Sequence, residues 1–215
     1  MAKEKTLAAI LKIGIVPIVR ANRADHAIEA AKAVYRGGVG VLEVTMTVPG
    51  AVKVLEKVAD EFGDRIVLGA GTVLDPETAR TVMLAGAEFL VTPALNVKTI
   101  EMCHRYSKPV IPGALTPTEV MNAWENGADM VKIFPCGNLG GPRYIKALKA
   151  PLPQVLMVPT GGVRLDNAAD FFQAGASAIA VGSEMVSRKA LESGDYASIE
   201  ENARQFLKVV EEARS

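Results

Sequence analysis

Residues 127–134 read Gly-Ala-Asp-Met-Val-Lys-Ile-Phe, a glycine and a small residue followed by a short apolar segment that contains one lysine. A glycine in this place is typical of a helix C-terminus, where the chain turns with positive φ. The apolar segment hardly alternates in polarity, which is typical of a parallel strand buried on both faces. The stretch therefore predicts a helix that ends near Gly127 and a buried strand that carries Lys132.

The same helix-to-strand joint recurs along the chain. It stands at four places, 48, 41 and 48 residues apart: Gly38-Val39, Gly86-Ala87, Gly127-Ala128 and Gly175-Ala176. Together with the apolar segments between these joints, the sequence predicts eight strands, at 15–19, 41–47, 66–69, 89–92, 109–111, 130–134, 155–158 and 178–181. Their starts are about two dozen residues apart, the length of a βα unit. Eight such units favour an α/β fold of the (β/α)8 TIM-barrel type over an open sheet.

Capping residues mark several helix starts. Asp75-Pro76-Glu77 places a cap, a proline at the first helical position and an acid in the first turn. Residues 116–119, Thr-Pro-Thr-Glu, predict a capping box. Residues 3–13 predict an extra N-terminal helix that covers the floor of the barrel.

Composition narrows the classes of function. The 215 residues are expected to form one domain, 1–215, and carry 24 Lys+Arg against 24 Asp+Glu, which gives no electrostatic case for nucleic acid or an anionic membrane. The two cysteines, Cys103 and Cys136, show no metal-ligand spacing, and neither a metal nor a cofactor is expected. With no signal-peptide pattern and no apolar run of membrane-spanning length, a cytoplasmic location is expected.

The repeat also predicts which side chains share a level inside the barrel, because alternate strands fill its interior in layers of four. Five residues past each joint glycine come Glu43, Val91, Lys132 and Ala180. Two residues further on come Thr45, Pro93, Phe134 and Gly182, one layer nearer the mouth. One acid and one amine thus face each other in an otherwise apolar layer.

Lys132 is the strongest candidate for chemistry. Strand alternation turns Lys132 inward, where desolvation lowers the pKa of an amine and makes it a nucleophile toward carbonyls. The alternative is a structural ion pair, or a lysine that reaches up to the mouth. Glu43 also faces inward and suits proton transfer beside such an amine; its alternative is a plain counter-ion.

Polar residues at the ends of other strands are expected to hold a substrate. Thr72 follows the third strand and offers a hydroxyl donor, and Arg20 follows the first strand and suits an anionic group, although a rim salt bridge is equally open. Residues 159–162, Pro-Thr-Gly-Gly, and 181–183, Val-Gly-Ser, end the seventh and eighth strands. Barrels commonly bind phosphate at these two places. The two histidines, His26 and His104, are expected on the surface, away from the mouth.

Taken together, these motifs resemble the 2-keto-3-deoxy-6-phosphogluconate (KDPG) aldolase family, which also acts on 4-hydroxy-2-oxoglutarate. The resemblance runs essentially from end to end and rests on five motifs: Leu42-Glu43-Val44-Thr45, Gly69-Ala70-Gly71-Thr72-Val73, Pro112-Gly113, Lys132-Ile133-Phe134-Pro135 and Pro159-Thr160-Gly161-Gly162-Val163. It implies a class I aldolase, typically a homotrimer, that handles a phosphorylated 2-keto-3-deoxy acid and pyruvate.

The resemblance also implies roles for individual residues. Lys132 would form the Schiff base and Glu43 would act as general acid and base. Thr72 would bind the pyruvate carboxylate with Thr160 close by, and Pro93 and Phe134 would line the methyl pocket. The family's phosphate site would correspond to four residues: Gly161, Gly162, Gly182 and Ser183.

One departure concerns the carboxylate. Many members carry an arginine where Thr47 stands, so Arg20 is expected to take over that task beside Thr47. The preferred substrate therefore stays open between KDPG, its 6-phosphogalactonate epimer and 4-hydroxy-2-oxoglutarate. A phosphate-binding barrel without turnover is a further alternative.

Overall fold

The computed structural model describes residues 2–214, in which short parallel strands alternate with helices. The strands are β1 (Ile15–Val19), β2 (Val41–Thr45), β3 (Val67–Gly71), β4 (Phe89–Val91), β5 (Val110–Ile111), β6 (Gly113–Ala114), β7 (Val131–Ile133), β8 (Met157–Pro159) and β9 (Ile179–Val181). The helices are α1 (Ala2–Ile13), α2 (Ala24–Arg36), α3 (Ala51–Phe62), α4 (Pro76–Leu84), α5 (Val97–Arg105), α6 (Pro117–Glu125), α7 (Pro142–Lys149), α8 (Ala168–Gln173), α9 (Arg188–Ser193) and α10 (Tyr196–Arg214). Two 3-10 turns, Gly63–Arg65 and Gly137–Leu139, complete the regular structure.

The strands form two sheets, with orders β5-β4-β3-β2-β1-β9 and β6-β7-β8, and every pairing within them is parallel. At one seam, β5 and β6 are separated only by Pro112, whose carbonyl accepts from Lys132 N at 2.9 Å. At the other, an isolated parallel bridge joins Thr160 to Ala180. The molecule is thus an α/β fold whose parallel strands curl into a half-barrel.

Each of the eight predicted strand positions contains a strand, but several bounds differ. The third strand runs to Gly71 rather than 69, and the seventh begins at Met157 rather than 155. The fifth continues past Pro112 as β6, because the chain changes neighbour there from β4 to β7. The second ends at Thr45 rather than at 47: Met46 N still bonds to Gly71 O, but Val48 N donates back to Thr45 O at 3.0 Å and closes a turn.

The strands carry two apolar layers. Their outer side chains, such as Val131 and Ile133, pack with the helices. Their inner side chains form a second cluster that includes Val91, Met130 and Ala180. This confirms the predicted alternation of β7, which turns position 132 to the inner side.

Local signals in the sequence are also confirmed. The four joint glycines have φ of 93°, 104°, 89° and 97° at Gly38, Gly86, Gly127 and Gly175. The Asp75 carboxylate accepts from Thr78 N, and Thr116 and Glu119 form a complete capping box. The predicted N-terminal helix is α1, and its Ile10 is fully buried in the inner cluster. Within residues 2–214, no helix is long and apolar enough to cross a membrane.

Candidate active site

A cleft of about 880 Å³ opens at the carboxyl ends of the strands. Eleven of the twelve site residues predicted from the sequence line it: Arg20, Thr47, Thr72, Pro93, Lys132, Phe134, Thr160, Gly161, Gly162, Gly182 and Ser183. Glu43, the twelfth, is not among the lining residues. Segments that are far apart in the sequence thus meet here because the ends of parallel strands share one edge.

A larger cleft, of about 1010 Å³, lies at the opposite end of the strands, between α1, α2 and α10. Arg65 and Arg214 line it, and their guanidinium groups donate to backbone carbonyls of Phe62 and Lys12. None of the predicted site residues lies there. We therefore take the smaller cleft as the candidate site, because the residues that line it, rather than its volume, suit a reaction.

Lys132 lies at the centre of β7, opposite Gly113 of β6 and Val158 of β8. Only 6% of the residue is exposed, and Nζ is 5.0 Å from the centroid of the Phe134 ring. Burial lowers the pKa of the Lys132 amine, the charge of Glu43 opposes this, and Arg20 adds to it. The net effect is a lowered pKa, which increases the share of the neutral amine, the form that attacks a carbonyl.

Glu43 lies at the centre of β2, between Ile18 of β1 and Gly69 of β3. It is 1% exposed, and its Oε2 has no hydrogen-bond partner among the described residues. Burial raises the pKa of the Glu43 carboxyl, while Lys132 and Arg20 lower it. A raised pKa makes the protonated form of the carboxyl easier to reach, as a group that takes up and returns a proton requires.

Lys132 and Glu43 interact through their charges without forming a contact pair. No ion pair within 4.0 Å joins them in the part of the chain that the structure describes. This argues against the alternative in which Lys132 serves only as a structural ion-pair partner.

The part of the cleft expected to hold a carboxylate is built from the ends of β1, β2 and β3. Thr72 directly follows β3 and has a left-handed backbone, with φ of 57°. The hydroxyls of Thr45 and Thr47 are 2.8 Å apart, and Thr45 Oγ1 is 3.4 Å from Val19 O. Arg20 is exposed, and within residues 2–214 it forms no ion pair within 4.0 Å. The guanidinium of Arg20 is therefore available to an anion, rather than paired at the rim.

The loops after β8 and β9 form the opposite wall. Thr160 is buried, and its hydroxyl donates to Val158 O at 3.3 Å. Gly161 and Gly162 follow with φ of 84° and 79°, a backbone that favours glycine. Among the described residues, the Gly162 N–H donates to no backbone acceptor, so it is available to an anion.

Some lining residues escaped the sequence analysis. His26 is one, and the expectation that it lies away from the mouth is wrong. Because α2 begins at Ala24, directly after β1, its first turn stands at the edge where the strands end. Arg164 also lines the cleft, one residue beyond the quoted glycine motif. The other histidine, His104, lies outside the cleft, with Nε2 2.9 Å from Gly127 O.

Cys136 is fully buried within the segment that follows β7, and this burial raises the pKa of its thiol to about 12. The thiol is therefore protonated and unreactive at neutral pH. Among the described residues, no group of three or more His, Cys, Asp or Glu side chains is placed to hold a metal ion.

Comparison with known proteins identifies the family. A family model described as KDPG and KHG aldolase matches residues 7–202. The chain is 37% identical over 209 residues to the KHG/KDPG aldolase of Escherichia coli (strain K12), covering 96% of this chain and 98% of that protein. It is 34% identical over 206 residues to the 2-dehydro-3-deoxy-6-phosphogalactonate aldolase of the same organism, covering 94% and 97%.

A solved structure shares the fold. It is the KDPG aldolase of Legionella pneumophila with pyruvate captured as a covalent carbinolamine intermediate, which is 30% identical to this chain with a TM-score of 0.85. The match covers 93% of this chain and 96% of that one. The family model spans most of the chain, and the relatives match it over nearly their whole length. The chain belongs to the KDPG and KHG aldolase family.

Proposed function

We propose that this chain is a class I aldolase that cleaves 2-keto-3-deoxy-6-phosphogluconate to pyruvate and glyceraldehyde 3-phosphate through a Schiff base on Lys132. The observation that carries the proposal is the buried Lys132 amine at the base of the cleft, with the Glu43 carboxyl nearby but not in contact. A lysine with a lowered pKa has a clear use in such a site, because only the neutral amine adds to a ketone.

The reaction follows from these two groups. Lys132 Nζ attacks the C2 ketone, and loss of water from the carbinolamine leaves a protonated imine. Glu43, through a water molecule, takes the proton of the C4 hydroxyl; the C3–C4 bond breaks and its electrons move into the imine to form an enamine. Glyceraldehyde 3-phosphate leaves, C3 is protonated, and hydrolysis of the imine releases pyruvate and the free lysine.

The lining residues are assigned to parts of the substrate. Arg20, Thr47 and Thr72 bind the C1 carboxylate, Pro93 and Phe134 enclose the carbon that becomes the pyruvate methyl, and Thr160 lies beside them. Four residues bind the phosphate: Gly161, Gly162, Gly182 and Ser183. The positions of all these residues around one cleft support the assignment.

Reductive trapping tests the Schiff base. Borohydride added with pyruvate is expected to leave a stable adduct on the peptide that contains Lys132, and Lys132→Ala is expected to abolish it. Lys149→Ala is the matched control, because burial also lowers the pKa of the Lys149 amine, although it lies outside the cleft and donates to Pro153 O and Val155 O. An adduct that survives Lys132→Ala contradicts the proposal.

Two alternatives are separated by turnover. The 6-phosphogalactonate epimer and 4-hydroxy-2-oxoglutarate would use the same chemistry, and comparing kcat/KM for the three substrates ranks them. A phosphate-binding barrel without turnover would bind phosphate esters and trap no imine. The buried amine beside a carboxyl favours catalysis, since a pure binder has no need of it.

Three further proposals concern the whole molecule. We propose that the two sheets form one closed (β/α)8 barrel and that residues 1–215 are a single domain, supported by the seams at Pro112 and Thr160. One cooperative unfolding transition is expected.

We propose a homotrimer, supported by the exposed apolar side chains of Leu74 and Leu139. Light scattering on the protein as it elutes from a size-exclusion column tests this. A cytoplasmic location stays a prediction, tested by cell fractionation.

A further inference from the structure

The loop after β8 is held by one amide side chain. Asn167 Nδ2 donates to Gly162 O at 2.9 Å, and Asn167 Oδ1 accepts from Arg164 N at 2.8 Å. Although Asn167 stands just before α8, its side chain does not cap that helix. Its two hydrogen bonds instead fix the turn that lines the cleft.

A second contact holds the same loop from behind. Gly137 N donates to Gly161 O at 2.9 Å. A Cβ on Gly137 would stand 2.9 Å from Gly162 Cα and 3.1 Å from Gly161 O, so the two segments touch through their backbones. The carbonyls of both Gly161 and Gly162 are therefore occupied by donors on the protein side.

The opposite ends of these two peptide units are free. In a planar trans peptide the N–H points away from the C=O of the same unit. Fixing Gly161 O therefore directs Gly162 N–H the other way, and fixing Gly162 O does the same for Val163 N–H. Within residues 2–214, neither N–H donates to a protein acceptor, and both residues line the cleft.

From this geometry we infer that Asn167 is a positioning residue: by holding Gly162 O and Arg164 N it directs the Val163 N–H, next to the Gly162 N–H fixed by Gly137, toward an anionic phosphate ester in the cleft. Asn167 does not touch the ester itself. The inference deepens the proposed function, since it names what shapes the phosphate end of that site.

The test measures binding and turnover separately. Binding of glycerol 3-phosphate is followed by calorimetry, and kcat and KM are measured for phosphorylated substrate and for 4-hydroxy-2-oxoglutarate. With Asn167→Ala, Kd for glycerol 3-phosphate and KM for the phosphorylated substrate are expected to rise about tenfold, as for one lost well-placed hydrogen bond. The KM for 4-hydroxy-2-oxoglutarate, which has no phosphate, and the yield of trapped pyruvate imine are expected to stay unchanged.

Two variants sharpen the result. Asn126→Ala is the matched control, because Asn126 Nδ2 also bonds to a backbone carbonyl, that of Asn122 at 2.7 Å, on an exposed helix end. It is expected to change neither Kd nor KM. Gly137→Ala presses on Gly162 from behind and is expected to reproduce the selective loss of phosphate-ester binding.

Two results with Asn167→Ala would overturn the inference. One is an equal rise in KM for the phosphorylated and unphosphorylated substrates, and the other is an unchanged Kd for glycerol 3-phosphate. If the proposed Schiff-base function itself is wrong, the pattern of results differs. In that case the wild-type protein traps no pyruvate imine, while glycerol 3-phosphate binding still weakens in Asn167→Ala and supports the positioning role.

Discussion

The carboxyl group of Glu43 packs against the α-carbon of Gly71 on the neighbouring strand. A Cβ at Gly71 would stand 2.7 Å from Glu43 Cδ, so a side chain larger than hydrogen displaces the carboxyl group. Gly71 is the last residue of β3 and has no positive φ, so this position needs glycine for space rather than for backbone conformation. The position of the proposed proton carrier thus depends on a residue that is not among those lining the cleft.

Gly71→Ala is expected to lower kcat about a hundredfold, the lower end of what a positioned general acid or base contributes. Trapping of the pyruvate imine is expected to persist, because Lys132 keeps its place. Gly40→Ala is the control, since a Cβ there meets only Arg65 O at an ordinary 3.7 Å. Steady-state kinetics on purified variants supply the measurement, and an unchanged kcat in Gly71→Ala would show that the carboxyl position is not critical.

The pH dependence of imine formation follows from the two buried groups. Burial lowers the pKa of Lys132, so the reactive neutral amine is present above that lowered pKa and is lost as the pH falls through it. Glu43 raises the pKa of Lys132 and therefore opposes the effect of burial. Glu43→Gln removes the opposing charge and is expected to shift the acid limb of the trapping rate to lower pH.

This shift is measured as the rate of cyanoborohydride trapping with pyruvate across a pH series, which needs no turnover. Glu119→Gln provides a control, because that carboxyl caps α6 outside the cleft. A limb that moves to higher pH in Glu43→Gln would mean that the carboxyl group does not act on the amine through its charge.

Replacing Thr72 by glycine is expected to stabilise the fold and to weaken pyruvate binding. A β-branched residue at φ of 57° is strained, at a typical cost of about 1–3 kcal/mol. Thr72→Gly should therefore raise the free energy of unfolding by about 1 kcal/mol, after the entropic cost of glycine, and raise KM for pyruvate through loss of the hydroxyl. Ser107→Gly, at φ of 52° and outside the cleft, is expected to leave KM unchanged. Denaturant unfolding and pyruvate kinetics give the two readouts, and an unaltered KM in Thr72→Gly would remove Thr72 from the carboxylate site.

Arg20 is expected to hold the substrate carboxylate. Loss of a charged hydrogen-bond donor costs roughly 1.5–3 kcal/mol, so Arg20→Ala should raise KM roughly tenfold to a hundredfold with a smaller change in kcat. Adding Thr47→Arg to that variant is expected to recover part of the loss, because Thr47 lines the same cleft. Arg23→Ala, which removes an exposed arginine paired with Asp25, is the control. Unchanged KM in Arg20→Ala would assign the carboxylate to another group.

The features that the sequence predicts well are those set by local chemistry. Joint glycines need positive φ, caps need particular side chains, and strand alternation turns Lys132 and Glu43 inward whatever the partner strands are. These rules act over a few residues and so can be read without the fold. Eleven of the twelve predicted site residues meet in one cleft because the predicted parallel strands end at a shared edge.

What escaped prediction depends on contacts between distant segments or on strain. The contact of Gly137 with Gly162 joins two loops, and nothing in either segment alone requires it. The left-handed backbone of Thr72 runs against the preference of a β-branched residue and needs the surrounding fold to impose it. The position of His26 could have been predicted, because the first turn of a helix that follows a strand lies at the mouth of the cleft.

The N-terminal helix has a consequence for the order of events. Ile10 packs into the inner cluster with Phe89 and Met130 and fills the space beneath Lys132. The cleft is therefore closed at that end. Reactants and products must use the same opening. In the proposed mechanism pyruvate stays on Lys132 as an imine at this closed end until hydrolysis. The phosphorylated aldehyde is therefore expected to leave first, and in the synthetic direction pyruvate is expected to enter first.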